Sequence, residues 1–286
     1  MSHFAKLALR ILIVLLLGGF LGATLVRFSP GFGIDEQELD PRLSSQSIQA
    51  IRQQDDEGRN LPAFYFHYLD RLLHGDLGTS RTLQLPVSRL LEQRFPETAK
   101  SVGLGLLLAW TAGLSLAMLV VLSRTWFLDL LTGLFTAILL CLPAAVLALL
   151  FVLAQAPARL LLAVVLFPKI FRYARNLLAR SASQPHVITA RAKGLGDLRV
   201  MFCHILPVAA PQLIALAGVS LSLAFTAAIP IEAICDLPGI GQLAWKAALG
   251  RDVALLVNLT MVVTIITLLG NSFSEMVGLA PTREAL

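Results

Sequence analysis

Long stretches of this chain carry no charged residue, and that alone removes most folds. Ser101–Leu122, Leu130–Leu153, Ile205–Ile231 and Val253–Ser274 each lack Asp, Glu, Lys and Arg. The hydrocarbon core of a bilayer asks for roughly 20 apolar residues per crossing helix, and each run is of that order. Overall, 56% of the residues are hydrophobic and 14% charged, where soluble domains carry about a quarter charged.

Two further spans complete the pattern. Leu7–Val26 is apolar apart from Arg10, which lies near enough to its start to snorkel to the headgroups. Lys6 and Arg10 ahead of an apolar run would also suit a signal peptide. The run is long enough to span and no small-x-small cleavage site follows, so an uncleaved anchor is expected. Ala158–Leu178 is apolar only in its first half, because Lys169 and Arg172 follow Pro168. Its inner half is expected at or beyond the membrane surface. Pro143 lies inside the third span, where neighbours can satisfy the carbonyl it frees.

The expected fold is therefore an all-α integral membrane protein. It has six transmembrane helices and a mostly helical insertion between the first and second, in which Ser44 or Ser45 caps a helix reaching about to Glu57. Three parts follow: 1–26, the N-terminus and first helix; 27–100, the insertion; and 101–286, a five-helix core with a basic loop at about 180–205.

Charge sets the orientation. The inner half of the fourth span and the segment after it carry Lys169, Arg172, Arg175, Arg180, Arg191, Lys193 and Arg199, offset only by Asp197. The positive-inside rule puts this segment in the cytoplasm, together with both termini and the turn at Ser123–Phe127. Residues 27–100 then face outward. The net charge of +5 is what such loops accumulate. No basic stripe interleaved with aromatics points to nucleic acid, and the bilayer is the expected surroundings.

Several chemistries lack their residues. Cys141, Cys203 and Cys235 lie far apart and form no CxxC or Cys/His cluster, so neither a metal site nor a disulfide framework is expected. No GxxxxGK[ST] phosphate loop, HExxH helix or GxSxG elbow occurs. No catalytic residue is assigned, and no ATPase site is expected in this chain. The spans hold almost no acidic residue, which counts against a proton- or sodium-coupled transporter.

Three words remain. The first is cytoplasmic: Thr189-Ala190-Arg191-Ala192-Lys193-Gly194, then Asp197, running on to Leu206-Pro207. It reads as a short helix, a turn at Gly194 where positive φ costs glycine nothing, and a second helix entering the membrane. A basic helix lying on anionic headgroups would have the same composition. His204 falls within this second helix. The second word is outward: Glu232-Ala-Ile-Cys-Asp-Leu-Pro238-Gly239-Ile-Gly241, then Arg251-Asp252. It reads as a rigid turn followed by a permissive one. The third is His74-Gly75-Asp76-Leu77-Gly78-Thr79-Ser80, followed by Arg94-Phe-Pro-Glu-Thr98.

Together these words resemble the inner-membrane (permease) components of ATP-binding-cassette importers, in the dipeptide/oligopeptide family. The first is similar to that family's E-A-A-x3-G signature. Leu206-Pro207 stand in register, and Ile188 occupies the place of the glutamate. The resemblance implies that the Thr189–Gly194 word with Asp197 forms the helix that docks on an ATPase subunit. It implies that Glu232, Pro238, Gly239, Gly241, Arg251 and Asp252 form an outer loop or gate, and that Gly75, Asp76, Leu77 and Gly78 help dock a binding protein.

The implied partners are a second homologous permease subunit, two cytoplasmic ATPase subunits or domains and a periplasmic solute-binding protein. ATP and magnesium would sit on the ATPase subunits. The implied place is the bacterial inner membrane, and the implied function is ATP-driven import of di- or oligopeptides through a pathway half-built by this chain. Nickel or another small solute is the alternative within the class. A secondary transporter and a membrane scaffold are the alternatives outside it. The link Ala154–Pro157 between the third and fourth spans is short for the family.

Overall fold

In the computed structural model, Ile13, Thr24, 76–80 and 82–278 are described. Ile13 and Thr24 are helical; the rest of the expected first span, the Ser44/Ser45 cap, His74 and Gly75 lie outside the described residues. The described chain is built of helices: α1 Val87–Ser123, α2 Trp126–Cys141, α3 Ala144–Leu153, α4 Ala158–Ala182, α5 Pro185–Ala192, α6 Asp197–Val200, a π turn Met201–Ile205, α7 Leu206–Ile234, α8 Ile240–Leu249 and α9 Val253–Gly278. It divides into two compact units: Met1–Phe95 with Leu243–Ile265, and Pro96–Gln242 with Ile266–Leu286.

Val87–Ser123, Asp197–Ile234 and Ala254–Met276 are long and apolar enough to cross a membrane. The expected third span differs from its reading. Instead of one proline-containing helix it is two, α2 and α3, meeting at 92°. Pro143 caps α3, and Leu142 before it is extended at φ −84, ψ 121. A residue preceding proline is pushed out of the α region by the proline ring, so the break falls where the sequence dictates. The pair counts as a fourth candidate if taken as one broken span.

The residues of the expected fourth span form a helix, α4, running on to Ala182, but with Lys169, Arg172 and Arg175 in its second half α4 is not among the helices long and apolar enough to cross. Helix α1 runs across residue 100, starting at Val87 and carrying Pro96 inside it. The 154–157 link is as short as read.

The second unit has two packed cores. One gathers Leu161, Leu162, Leu166 and Ile170 of α4 against Ala224, Phe225 and Ala228 of α7. The other gathers Phe171, Ala174 and Leu178 of α4 with Val187 and Ala190 of α5, and with Val200, Met201 and Ile205. Small residues let helices approach closely where no water drives them together. A Cβ on Gly218 of α7 would stand 2.5 Å from the Gly270 carbonyl oxygen. Beside it, Ser222 donates to the Thr267 carbonyl at 2.9 Å and lies 3.0 Å from Asn271 Oδ1.

Candidate functional site

The Thr189–Gly194 word is built as a hinge anchored on the second core. Pro185 opens α5 at a position where its missing N–H costs nothing. Val187 and Ala190 turn inward and are buried. The helix ends in a Schellman turn. Gly194 N–H bonds the Arg191 carbonyl at 2.9 Å, and Leu195 N–H reaches back to the Ala190 carbonyl at 3.4 Å. Gly194 has φ +78, and nothing lies within 4 Å of where a Cβ would stand. The demand for glycine here is conformational, not steric.

Beyond the turn, Gly196 caps α6, and Asp197 at its start pairs with Arg124. The π turn follows directly before Pro207. Leu206 N–H bonds the Met201 carbonyl, five residues back, and Pro207 has no N–H to offer. His204 lies in this turn, its carbonyl 3.3 Å from His186 Nε2.

One face of this hinge is left open. Ile188 is 60% exposed, Leu198 66% and Phe202 55%, while Thr189, Ala192, Lys193 and Asp197 are also exposed. Large apolar side chains ringed by charge on a surface mark an interaction face.

The Glu232–Gly241 word is organised around one buried carboxylate. Glu232 lies inside the last turn of α7, not in a loop, and is buried. Its Oε2 accepts the Thr98 hydroxyl at 3.1 Å and the Gly241 N–H at 2.7 Å. Thr98 Oγ1 in turn accepts the Ile240 N–H at 2.8 Å. The two side chains thereby cap the first two N–H groups of α8, which suits a carboxylate at a helix N-terminus. Oε1 is buried with no hydrogen-bond partner among the described residues.

One glycine follows from this cap and the other from the α7 backbone beside it. A Cβ on Gly239 would stand 2.1 Å from Glu232 Oε2, and one on Gly241 would stand 2.5 Å from the Ile229 carbonyl oxygen. Pro238 precedes them, and Asp236, at φ +51, bonds the Gln242 side chain. The expected outer loop therefore contains a helix, Ile240–Leu249, that the proline–glycine reading passed over. Its signal was the helix-forming run Gln242-Leu-Ala-Trp-Lys-Ala-Ala-Leu249.

In the other unit, Asp252 is fully buried at the start of α9. Its Oδ1 accepts the Leu255 N–H at 3.1 Å, a side-chain N-cap. Its Oδ2 accepts the Ser80 hydroxyl at 2.5 Å and the Thr82 N–H at 3.1 Å. Asn258 Nδ2 donates to the Leu77 carbonyl at 2.9 Å. Asp76 closes a small turn on Gly78 N–H at 2.8 Å, with Gly78 at φ +74. Arg251 is exposed at φ +51. The third word and the Arg251-Asp252 pair are thus one knot, which spacing alone could not join. Among the described residues, no group of three His, Cys, Asp or Glu side chains is gathered to hold a metal.

These features define a multi-pass membrane protein with a hinged surface helix pair and capped outer turns. Residues 103–278 match the family described as "Binding-protein-dependent transport system inner membrane component", and the chain belongs to that family. The oligopeptide transport system permease protein OppB of Salmonella typhimurium is 30% identical over 220 residues, covering 70% of this chain and 72% of that protein. OppB of Escherichia coli K12 is 28% identical over 260 residues, 84% of each. A putative peptide permease protein of Brucella suis is 27% identical over 283 residues, 88% of each. The chain is accordingly a permease component of an ATP-binding-cassette importer of the peptide family.

Proposed function

We propose that this chain imports di- or oligopeptides as one of two permease subunits, each forming half of the pathway, driven by two separate ATPase subunits and supplied by an external binding protein. It crosses the inner membrane six times with both termini inside. The hinge supports the coupling role most directly. The Thr189–Gly194 word rides on a helix held by Val187 and Ala190 to the same core as α4, while Ile188, Leu198 and Phe202 stay open to a partner.

Closure of the ATPase pair, with ATP and magnesium bound there, would push on this helix, and the shared core would pass the push to α4 and the foot of α7. A conformational shift of this kind requires contacts that differ between the two states; the docked face supplies them. The peptide cargo rests on the names borne by the relatives.

The test is reconstitution of the chain with its partners in vesicles, with radiolabelled peptide uptake as the readout. Uptake should need every one of these partners and hydrolysable ATP. Uptake driven by a proton or sodium gradient without ATPase subunits would defeat the proposal.

A further inference from the structure

Between the α1–α2 turn and the end of α4 lies a cavity of about 380 Å³. Arg124, Arg175 and Arg191 line it against a single lining carboxylate, Asp129, and Trp126 stands at its rim. The arginines are not used up by internal pairing. Arg175 meets Asp129 and donates to Asn176 Oδ1 at 3.1 Å; Arg124 meets Asp197. A guanidinium carries five N–H donors, so each of these two keeps several to offer. Arg191 makes no ion pair among the described residues, and its Nε is buried without an acceptor. Three guanidinium groups against one lining carboxylate leave the pocket positively charged, and such a pocket attracts an anion.

The surroundings say which anion. Trp126 and Phe127 are 75% and 63% exposed, the placing of aromatic side chains at a membrane interface. From them an exposed apolar stripe, Leu130, Leu134 and Ile138, runs up α2 at helical spacing. A head-sized basic pocket thus opens onto a tail-length apolar face. The pocket lies on the same side as Arg191 of the coupling word, the leaflet in which anionic lipid attracts basic side chains.

We propose that this pocket binds the phosphate of an anionic phospholipid, whose acyl chains lie along the outer face of α2. Arginine suits the role through its fork of donors, which matches phosphate oxygens. The bound lipid would brace the α1–α2 turn against the coupling segment.

The test is native mass spectrometry of the assembled transporter, released from nanodiscs of phosphatidylethanolamine with phosphatidylglycerol as the probe. The wild-type complex should retain phosphatidylglycerol in preference to phosphatidylethanolamine. Arg175→Gln should lower that retention about tenfold, and Asp129→Asn should raise it. Misfolding would lower both, so opposite signs mark an electrostatic site. If Arg175→Gln fails to assemble, Asp129→Asn decides alone, and unchanged or lowered retention overturns the proposal. Displacement by inorganic phosphate at the same concentration as by short-chain phosphatidylglycerol would mean a free-phosphate site and also overturn it. So would retention by the isolated chain that vanishes in the assembled complex, since a protein partner would then cover the pocket.

Discussion

Thr98 and Glu232, 134 residues apart, share one proton-donating contact: the Thr98 hydroxyl donates to Glu232 Oε2 at 3.1 Å. That bond ties α1 to the end of α7 and turns both side chains toward the first N–H groups of α8. The cap is the reason this turn needs glycine at position 239.

Replacing Thr98 with Val keeps the shape and removes both hydrogen bonds. Leaving a buried carboxylate oxygen and a helix N–H short of partners costs about 1–3 kcal/mol. The expected outcome is a lowered midpoint of thermal unfolding in detergent, read by tryptophan fluorescence. An unchanged midpoint would show that the cap is not holding the turn.

Gly239→Ala should be more damaging than its size suggests, because its Cβ would fall 2.1 Å from the carboxylate oxygen. Truncating the carboxylate first should relieve the clash. In a double-mutant cycle, Gly239→Ala should cost less in a Glu232→Ala background than in the wild type, by at least about 0.5 kcal/mol of coupling. Strict additivity would mean that the turn moves aside without touching Glu232.

The knot around Asp252 makes a parallel prediction. Asp252→Ala removes an N-cap, worth about 0.5–2 kcal/mol, and also the acceptor for Ser80 and Thr82. Ser80→Ala removes one of those same bonds, so the two losses should overlap. Thermal unfolding of the pair and the double variant checks this; a double variant equal to the sum of the singles would contradict the shared bond.

Orientation can be checked by labelling. In a background without native cysteines, Ser47→Cys should react with an impermeant maleimide on intact cells, and Ser183→Cys should not. Ser183 suits the inner position because it is exposed at the end of α4, whereas Ser181 is buried. The reverse pattern would invert the topology and move the coupling word outside.

The parts of this fold legible in the sequence are those fixed locally. Charge-free runs gave the long helices, and Gly194 announced its turn because a Schellman turn needs positive φ whatever surrounds it. Pro143 was seen but its effect was misjudged. Whether proline kinks a membrane helix or ends it depends on whether neighbours can take up the freed backbone groups, and here α2 and α3 part at 92°. The capping of α8 by Glu232 and Thr98, and the bond from Ser80 to Asp252 across 172 residues, lay beyond sequence reasoning. Nothing in a single sequence pairs residues so far apart. Arg191 is legible in the sequence only as part of the Thr189–Gly194 word, and nothing there sets it beside Arg124 in one cavity.

A hinge at Gly194 that couples ATP hydrolysis to transport should not tolerate a side chain that resists its turn. Gly194→Val is its most direct test, since a β-branched residue forced to φ +78 carries strain on the order of 1–3 kcal/mol, while the membrane helices are untouched. Co-purification of the ATPase subunits and peptide uptake are measured side by side on the same preparations. The expected outcome is normal membrane insertion with either loss of the ATPase subunits or hydrolysis that no longer drives uptake. Wild-type levels of both association and uptake would contradict it.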